Sequence, residues 1–185
     1  MPTQLKKDKY SKEDALSTIE RNIGWINSAD NKASIMLGVL SFLFGGLIIT
    51  VDSVKLQQMI DSGQSSQYIH AIGIALSGLT LSISILCTVI FLLLVLIART
   101  SHIVKDSKNS VFFFNDISNS TLLEFHEITQ RINEEEIIED LISQVYATSL
   151  VATSKYRYLR KGYISFAIAV ISSFIYLFLM YLLFK

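Results

Sequence analysis

The chain has 185 residues, 51% of them hydrophobic and 17% charged, with a formal net charge of zero and a mean hydropathy of +0.45. Soluble domains carry about a quarter charged residues, so this composition excludes an ordinary soluble domain and points to a membrane protein. The single cysteine, Cys87, excludes an intrachain disulfide and a cysteine-based metal cluster.

The apolar residues are bunched into three runs, 34–51, 69–98 and 163–184. Each reaches the ~18 residues expected of a membrane-crossing helix. The N-terminal stretch MPTQLKKDKYSKEDA is polar and charged, so no signal peptide is expected in it. Basic residues set the orientation. Lys6, Lys7, Lys9, Lys12, Arg21 and Lys32 precede the first run, and Arg99, Lys105, Lys108, Arg131, Lys155, Arg157, Arg160 and Lys161 lie between the second and third. The segment 52–68 holds only Lys55. The positive-inside rule then makes 1–33 and 99–162 cytoplasmic, 52–68 an external loop and the C-terminus external. The expected fold is an all-α membrane protein. Its three transmembrane helices are 34–51, 69–98 and 163–184, the first and third continuous with a cytoplasmic helical bundle.

Proline occurs only at position 2, so nothing forces a later break. From Ser11 to Val51 the chain can form one helix of ~60 Å. Its cytoplasmic part suggests a seam of Leu16, Ile19, Ile23, Ile26, Asp30 and Ala33, at the alternating three- and four-residue spacing of a coiled coil. A second long helix begins after Asn133, an N-cap candidate, with Glu134, Glu135 and Glu136 in its first turn. Its seam is Ile138, Leu141, Val145, Thr148, Ala152, Lys155 and Leu159. Between these helices, Phe112, Phe113 and Phe114 suit a turn or a short extended piece packed between helices, and Thr121 with Glu124 has capping-box spacing, Ser120 and Asn119 being rival caps.

Asp30 and Lys155 precede their apolar runs by about four and about eight residues, an offset of ~6 Å along parallel helices that a lysine can span. They are therefore expected to pair, as a register-setting contact or as a switch. Trp25 and the phenylalanine run could stack a base, although such residues more often serve as packing or interfacial anchors. Arg157, Arg160 and Lys161 suit a phosphate or anionic lipid equally. His102 and His126 are isolated, and Glu134–Glu136 with Glu139 and Asp140 read as a solvated first turn. Gly45-Gly46 suggests close helix packing. Ser77, Ser82, Ser84 and Thr88 could line a weakly polar path or bond to their own helix. Known catalytic motifs are missing, so no enzymatic activity, catalytic residue, metal or cofactor is expected, and nucleic acid is not expected as a partner.

Three ordered elements carry a resemblance: WINSADNKAS (Trp25, Asp30, Lys32, Ala33), VFFFNDI (Phe113, Asp116, Ile117) and LISQVYATSLVATSKYRYL (Leu141, Gln144, Lys155, Tyr156, Leu159). Together they resemble the Pycsar effector transmembrane family over about residues 15–184. The resemblance implies a bacterial anti-phage effector of the inner membrane. Its partner would be a pyrimidine cyclase whose cyclic CMP or cyclic UMP activates it to impair the membrane and arrest the infected cell. It also implies Trp25, Lys32, Arg99, Phe113, Asp116, Lys155 and Tyr156 as ligand-binding candidates, with Lys32, Arg99 and Lys155 to meet the phosphodiester. One position departs from the pattern: Asn115 stands where the family commonly has glycine. Three spans are too few to enclose a wide pore, so a pore would require a homo-oligomer. The rival expectation is a structural or regulatory membrane subunit that binds a protein through the two seams and senses no nucleotide.

Overall fold

A computed structural model describes residues 10–50, 65–97 and 110–184. All regular structure among these residues is helical: α1 (Lys12–Thr50), α2 (Ser65–Leu96), α3 (Phe114–Asn119), α4 (Leu122–Arg131) and α5 (Glu134–Phe184). The long helices α1 and α5 are unbroken, as a chain without internal proline permits. Arg99, His102 and most of the segment 52–68 lie outside the described residues.

Three helices start on reciprocal caps. Ser11 Oγ accepts from the Asp14 amide at 3.1 Å, and Asp14 Oδ2 accepts from the Ser11 amide at 3.1 Å. Thr121 and Glu124 form a full capping box before α4, which settles the choice among the rival caps. Asn133 Oδ1 accepts from the Glu136 amide at 2.9 Å before α5, and Glu136 Oε2 accepts from the Asn133 amide. Each box satisfies amides that a helix start leaves orphaned. The Ser11 hydroxyl, then its amide, hold the Asp14 carboxyl below its ordinary value; the Thr121 amide, then its hydroxyl, do so for Glu124.

The chain forms two compact units, Met1–Ser28 with Ala98–Ser154, and Ala29–Ile97 with Lys155–Lys185. In the first, α1 and α5 pack through small and polar residues. Ala15 and Asn22 are buried on α1, Leu141 and Ala152 on α5. This corrects the expected α1 seam in part: Ala33 is buried as expected and Ile19 and Ile26 are half-buried, but the other positions shift by one. Leu16 and Ile23 are exposed, and the inward line is Ala15, Asn22, Ala29 and Ala33, with Asp30 on its flank. The α5 seam keeps its register, with Leu141, Ala152, Lys155 and Leu159 buried.

The second unit has a core of Ala29, Ala33, Met36, Leu92, Val95 and Leu159. Its helix α2 is apolar on both faces, with hydroxyls on the inward one. The inward stripe is Ile74, Ser77, Leu81, Ser84, Thr88, Leu92 and Val95, while Ile72, Leu76, Leu79, Ile83, Leu86, Ile90 and Leu93 face outward. Water would oppose that arrangement, since it leaves large apolar side chains exposed along the whole helix. Lipid favours it, because helices in a bilayer gain nothing by hiding leucine from a hydrocarbon neighbour and pack through small residues. The hydroxyls spend their protons within α2: Ser77 on the Ile74 carbonyl, Ser82 on Gly78, Ser84 on Thr80 and Thr88 on Ser84. Ser82 is exposed and does not share the buried stripe.

A close approach is seen at Gly162, while the surroundings of Gly46 lie outside what the structure describes. Gly45 faces open space, whereas a Cβ at the buried Gly162 would lie 2.9 Å from Leu92 Cδ2. Leu92 is fully buried and has little room to yield. Among the described residues, α2 and α5 contain segments long and apolar enough to cross a membrane, within Ile72–Leu96 and Glu134–Leu182.

Candidate functional site

Three helices of the second unit meet at one ammonium group. Lys155 on α5 places Nζ 2.5 Å from Asp30 Oδ1 on α1 and 2.6 Å from the Val95 carbonyl near the end of α2. The last carbonyls of a helix lack internal partners, so Lys155 both neutralises Asp30 and caps α2. A cation is also favoured there by the negative end of the helix dipole. The lysine side chain is 9% exposed and that of Asp30 33% exposed. The lysine is thus enclosed, while the carboxylate retains an edge open to solvent or to an incoming group.

A second contact lies beside it in the sequence. Lys32, two residues after Asp30, puts Nζ 5.8 Å from the ring centroid of Tyr156, the residue after Lys155. Lys32 and Tyr156 are both exposed. The pair offers an ammonium and an aromatic face to a ligand, the two features that an anion with a planar base requires.

The first unit contains two polar constellations. Asn22 donates from Nδ2 towards Thr148 Oγ1 at 3.0 Å, Ser149 Oγ at 2.9 Å and the Val145 carbonyl at 3.3 Å. Thr148 and Ser149 direct their own protons to backbone carbonyls, leaving their oxygens as acceptors. That fixes the amide's orientation and makes Asn22 a register key between α1 and α5, as one buried asparagine does in a coiled coil.

The other constellation centres on Ser110, which is buried. Its hydroxyl donates to Asp140 Oδ2 at 2.9 Å and accepts from the amides of Phe112 and Phe113 at 3.2 and 3.0 Å. Gln144 Nε2 also reaches it at 3.3 Å. Asp140 Oδ2 accepts from the Val111 amide and Asp116 Oδ2 from the Ser110 amide, both at 3.0 Å. The VFFF segment is therefore a turn wound around one hydroxyl and tied to α5. Asp140 is no solvated first-turn acid: it anchors a segment about thirty residues earlier. Asn115 is helical, in the first turn of α3, so the departure from glycine meets no demand for a left-handed backbone.

The candidate residues thus fall into separate groups. Trp25, Phe113 and Asp116 belong to the first unit, and Lys32, Lys155 and Tyr156 to the second. Trp25 is half exposed, with the Arg21 guanidinium 5.9 Å over its ring. Asp116 serves the Ser110 turn, and Phe113 is partly buried in it. Arg99 lies outside the described residues. Sequence reasoning missed Asn22, Ser110 and the Val95 carbonyl. A buried asparagine at heptad distance from Ala15 and Ala29 was the available signal for the first; a backbone carbonyl gives none. A void of about 10 Å³ beside Leu40, Phe44, Leu81 and Ala169 has room for no more than a water. Among the described residues no cluster of His, Cys, Asp and Glu has metal-binding geometry.

Comparison with known proteins adds an independent finding. The sequence pattern of the Pycsar effector protein domain matches residues 14–182. The chain is also 27% identical over 163 residues to the Pycsar effector protein GmPycTM of Gulbenkiania mobilis, an alignment covering 82% of this chain and 83% of that one. No solved structure matches it.

Proposed function

Because this chain belongs to the Pycsar effector protein domain family, we propose that it is a bacterial antiviral-defence membrane effector gated by a cyclic pyrimidine nucleotide. Antiviral defence and membrane association follow from the family. The observation that carries the membrane reading in this chain is the outward face of α2, where isoleucine and leucine are exposed along the whole helix from Ile72 to Leu93. In the full proposal, 34–51, 69–98 and 163–184 span the inner membrane, with the N-terminus cytoplasmic and the C-terminus external. Copies associate, and the activated assembly breaks the permeability barrier. The protein acts without enzymatic chemistry and without a cofactor.

Cyclic CMP and cyclic UMP each present one phosphodiester charge and one pyrimidine. Lys32 and Tyr156 supply an exposed ammonium and ring for these groups. Binding at Lys32 and Tyr156, sequence neighbours of Asp30 and Lys155, would disfavour the present Asp30–Lys155 pairing. Such a ligand acts by preferring one arrangement of α1, α2 and α5 over another. Calorimetry on the detergent-solubilised protein should show heat with cyclic CMP or cyclic UMP and none with cyclic AMP. Lys32→Ala should weaken that binding about tenfold, equivalent to ~1.4 kcal/mol. Absence of heat with either pyrimidine nucleotide overturns the nucleotide reading.

A second reading, a membrane subunit that binds a protein partner, draws on the exposed apolar residues of the first unit. Leu122 and Leu123 on α4 and Leu16 and Ile23 on α1 are uncovered. The seams themselves are unavailable to a partner, since Asn22 binds α1 to α5 within the chain. Co-purification of a stoichiometric partner, together with silent calorimetry, would favour this reading.

A further inference from the structure

The described part of the second unit carries charge of one sign at one end. Its only acid is Asp30, already paired with Lys155. Lys32, Arg157, Arg160 and Lys161 are exposed, and among the described residues no carboxylate lies within ion-pair distance of them. Cations left without acids on a folded surface need an anionic partner or open water.

Their setting distinguishes them from scattered surface charges. Lys161 Nζ lies 5.7 Å from the Phe91 ring centroid and 5.9 Å from that of Tyr158. The Arg157 guanidinium lies 5.7 Å over Tyr158, and Lys32 lies over Tyr156. Phe91 is near the end of α2, while Lys161 and Lys32 stand where the apolar runs of α5 and α1 begin. The contacts therefore place cations and rings together at one end of the three apolar stretches. Aromatic residues favour the depth of lipid headgroups, and Lys or Arg beside a membrane helix attracts anionic lipid.

We propose that Arg157, Arg160 and Lys161 form a headgroup belt that binds anionic phospholipid. It is a lipid site beyond the nucleotide reading, and it rests only on the membrane insertion in that reading. The aromatic rings hold the basic stems at headgroup depth, and the lipid phosphates supply the counter-charge that the described residues do not. Anionic lipid then stabilises the arrangement of α1, α2 and α5 at that end.

The test is a melting experiment on the full chain in non-ionic detergent at low salt, with phosphatidylglycerol or phosphatidylcholine added. Phosphatidylglycerol should raise the melting temperature by several degrees more than phosphatidylcholine. The excess should vanish in about 0.5 M salt, where the Debye length is only a few ångströms. Arg157→Gln/Arg160→Gln/Lys161→Gln should lose most of the excess, whatever its starting melting temperature. If the triple variant does not fold, Arg157→Gln/Arg160→Gln should show a reduced excess. Equal shifts with the two lipids, or an undiminished excess in the variants, overturn the proposal. So does the same shift with inorganic phosphate alone, which would mark a free-anion site. No nucleotide enters the assay, so its outcome is separable from failure of the nucleotide reading.

Discussion

Asp30→Ala and Lys155→Ala are each expected to cost about 3 kcal/mol, and the double variant clearly less than the sum. The cause is asymmetric desolvation. Without Asp30, an almost enclosed ammonium retains only the Val95 carbonyl. Without Lys155, a carboxylate one-third exposed can recover some water, but the α2 carbonyl loses its cap. Asp30→Ala should therefore be at least as damaging as Lys155→Ala, which a count of lost contacts would not predict. Denaturation in detergent measures all three variants. Additive losses would mean that the pair is not an energetic unit. The pair joins α1, α2 and α5 through one side chain, so a change in its charge balance is felt by all three.

Ser110→Ala should destabilise the VFFF turn by about 2 kcal/mol, the scale set by leaving buried polar groups unpaired. Two amides, one carboxylate oxygen and the Gln144 amide share that hydroxyl. The loss should be local. Hydrogen exchange at the Phe112 and Phe113 amides should rise about thirtyfold, the equivalent of ~2 kcal/mol, while amides around Leu92 and Leu159 are little changed. Ser110→Thr, which keeps the hydroxyl, should retain part of the protection. Unchanged exchange in Ser110→Ala would show that the turn is held by something other than the hydroxyl.

The contrast between the two long helices explains what the sequence made legible. On α5 the inward positions are occupied by Leu141, Ala152, Lys155 and Leu159, so an apolar period with one lysine could be read directly. On α1 the inward positions hold Ala15, Asn22, Ala29 and Ala33, while Leu16 and Ile23 lie outward. Ranking by hydrophobicity selects Leu16 over Ala15 and Ile23 over Asn22, and so slips the register by one at those two turns. Close packing selects the smaller. The same rule separates Gly162, enclosed by Leu92, from Gly45, which faces open space. Lys155 and Asp30 were within reach because helix rise converts sequence offset into distance. Ser110 and Asp140 were not, since their contact depends on how the chain folds back before α3. Asp140, only six residues beyond Glu134, carries the local signature of a solvated turn and none of its long-range role.

A cyclic pyrimidine nucleotide is expected to switch this membrane protein from harmless to permeabilising. Protein reconstituted in sealed vesicles of phosphatidylethanolamine and phosphatidylglycerol, loaded with a self-quenched dye, tests it most directly. Cyclic CMP or cyclic UMP should release the dye within minutes, cyclic AMP should not, and Lys32→Ala/Tyr156→Ala should require far more nucleotide. Retention of the dye with both pyrimidine nucleotides, or equal release without any nucleotide, would contradict the account.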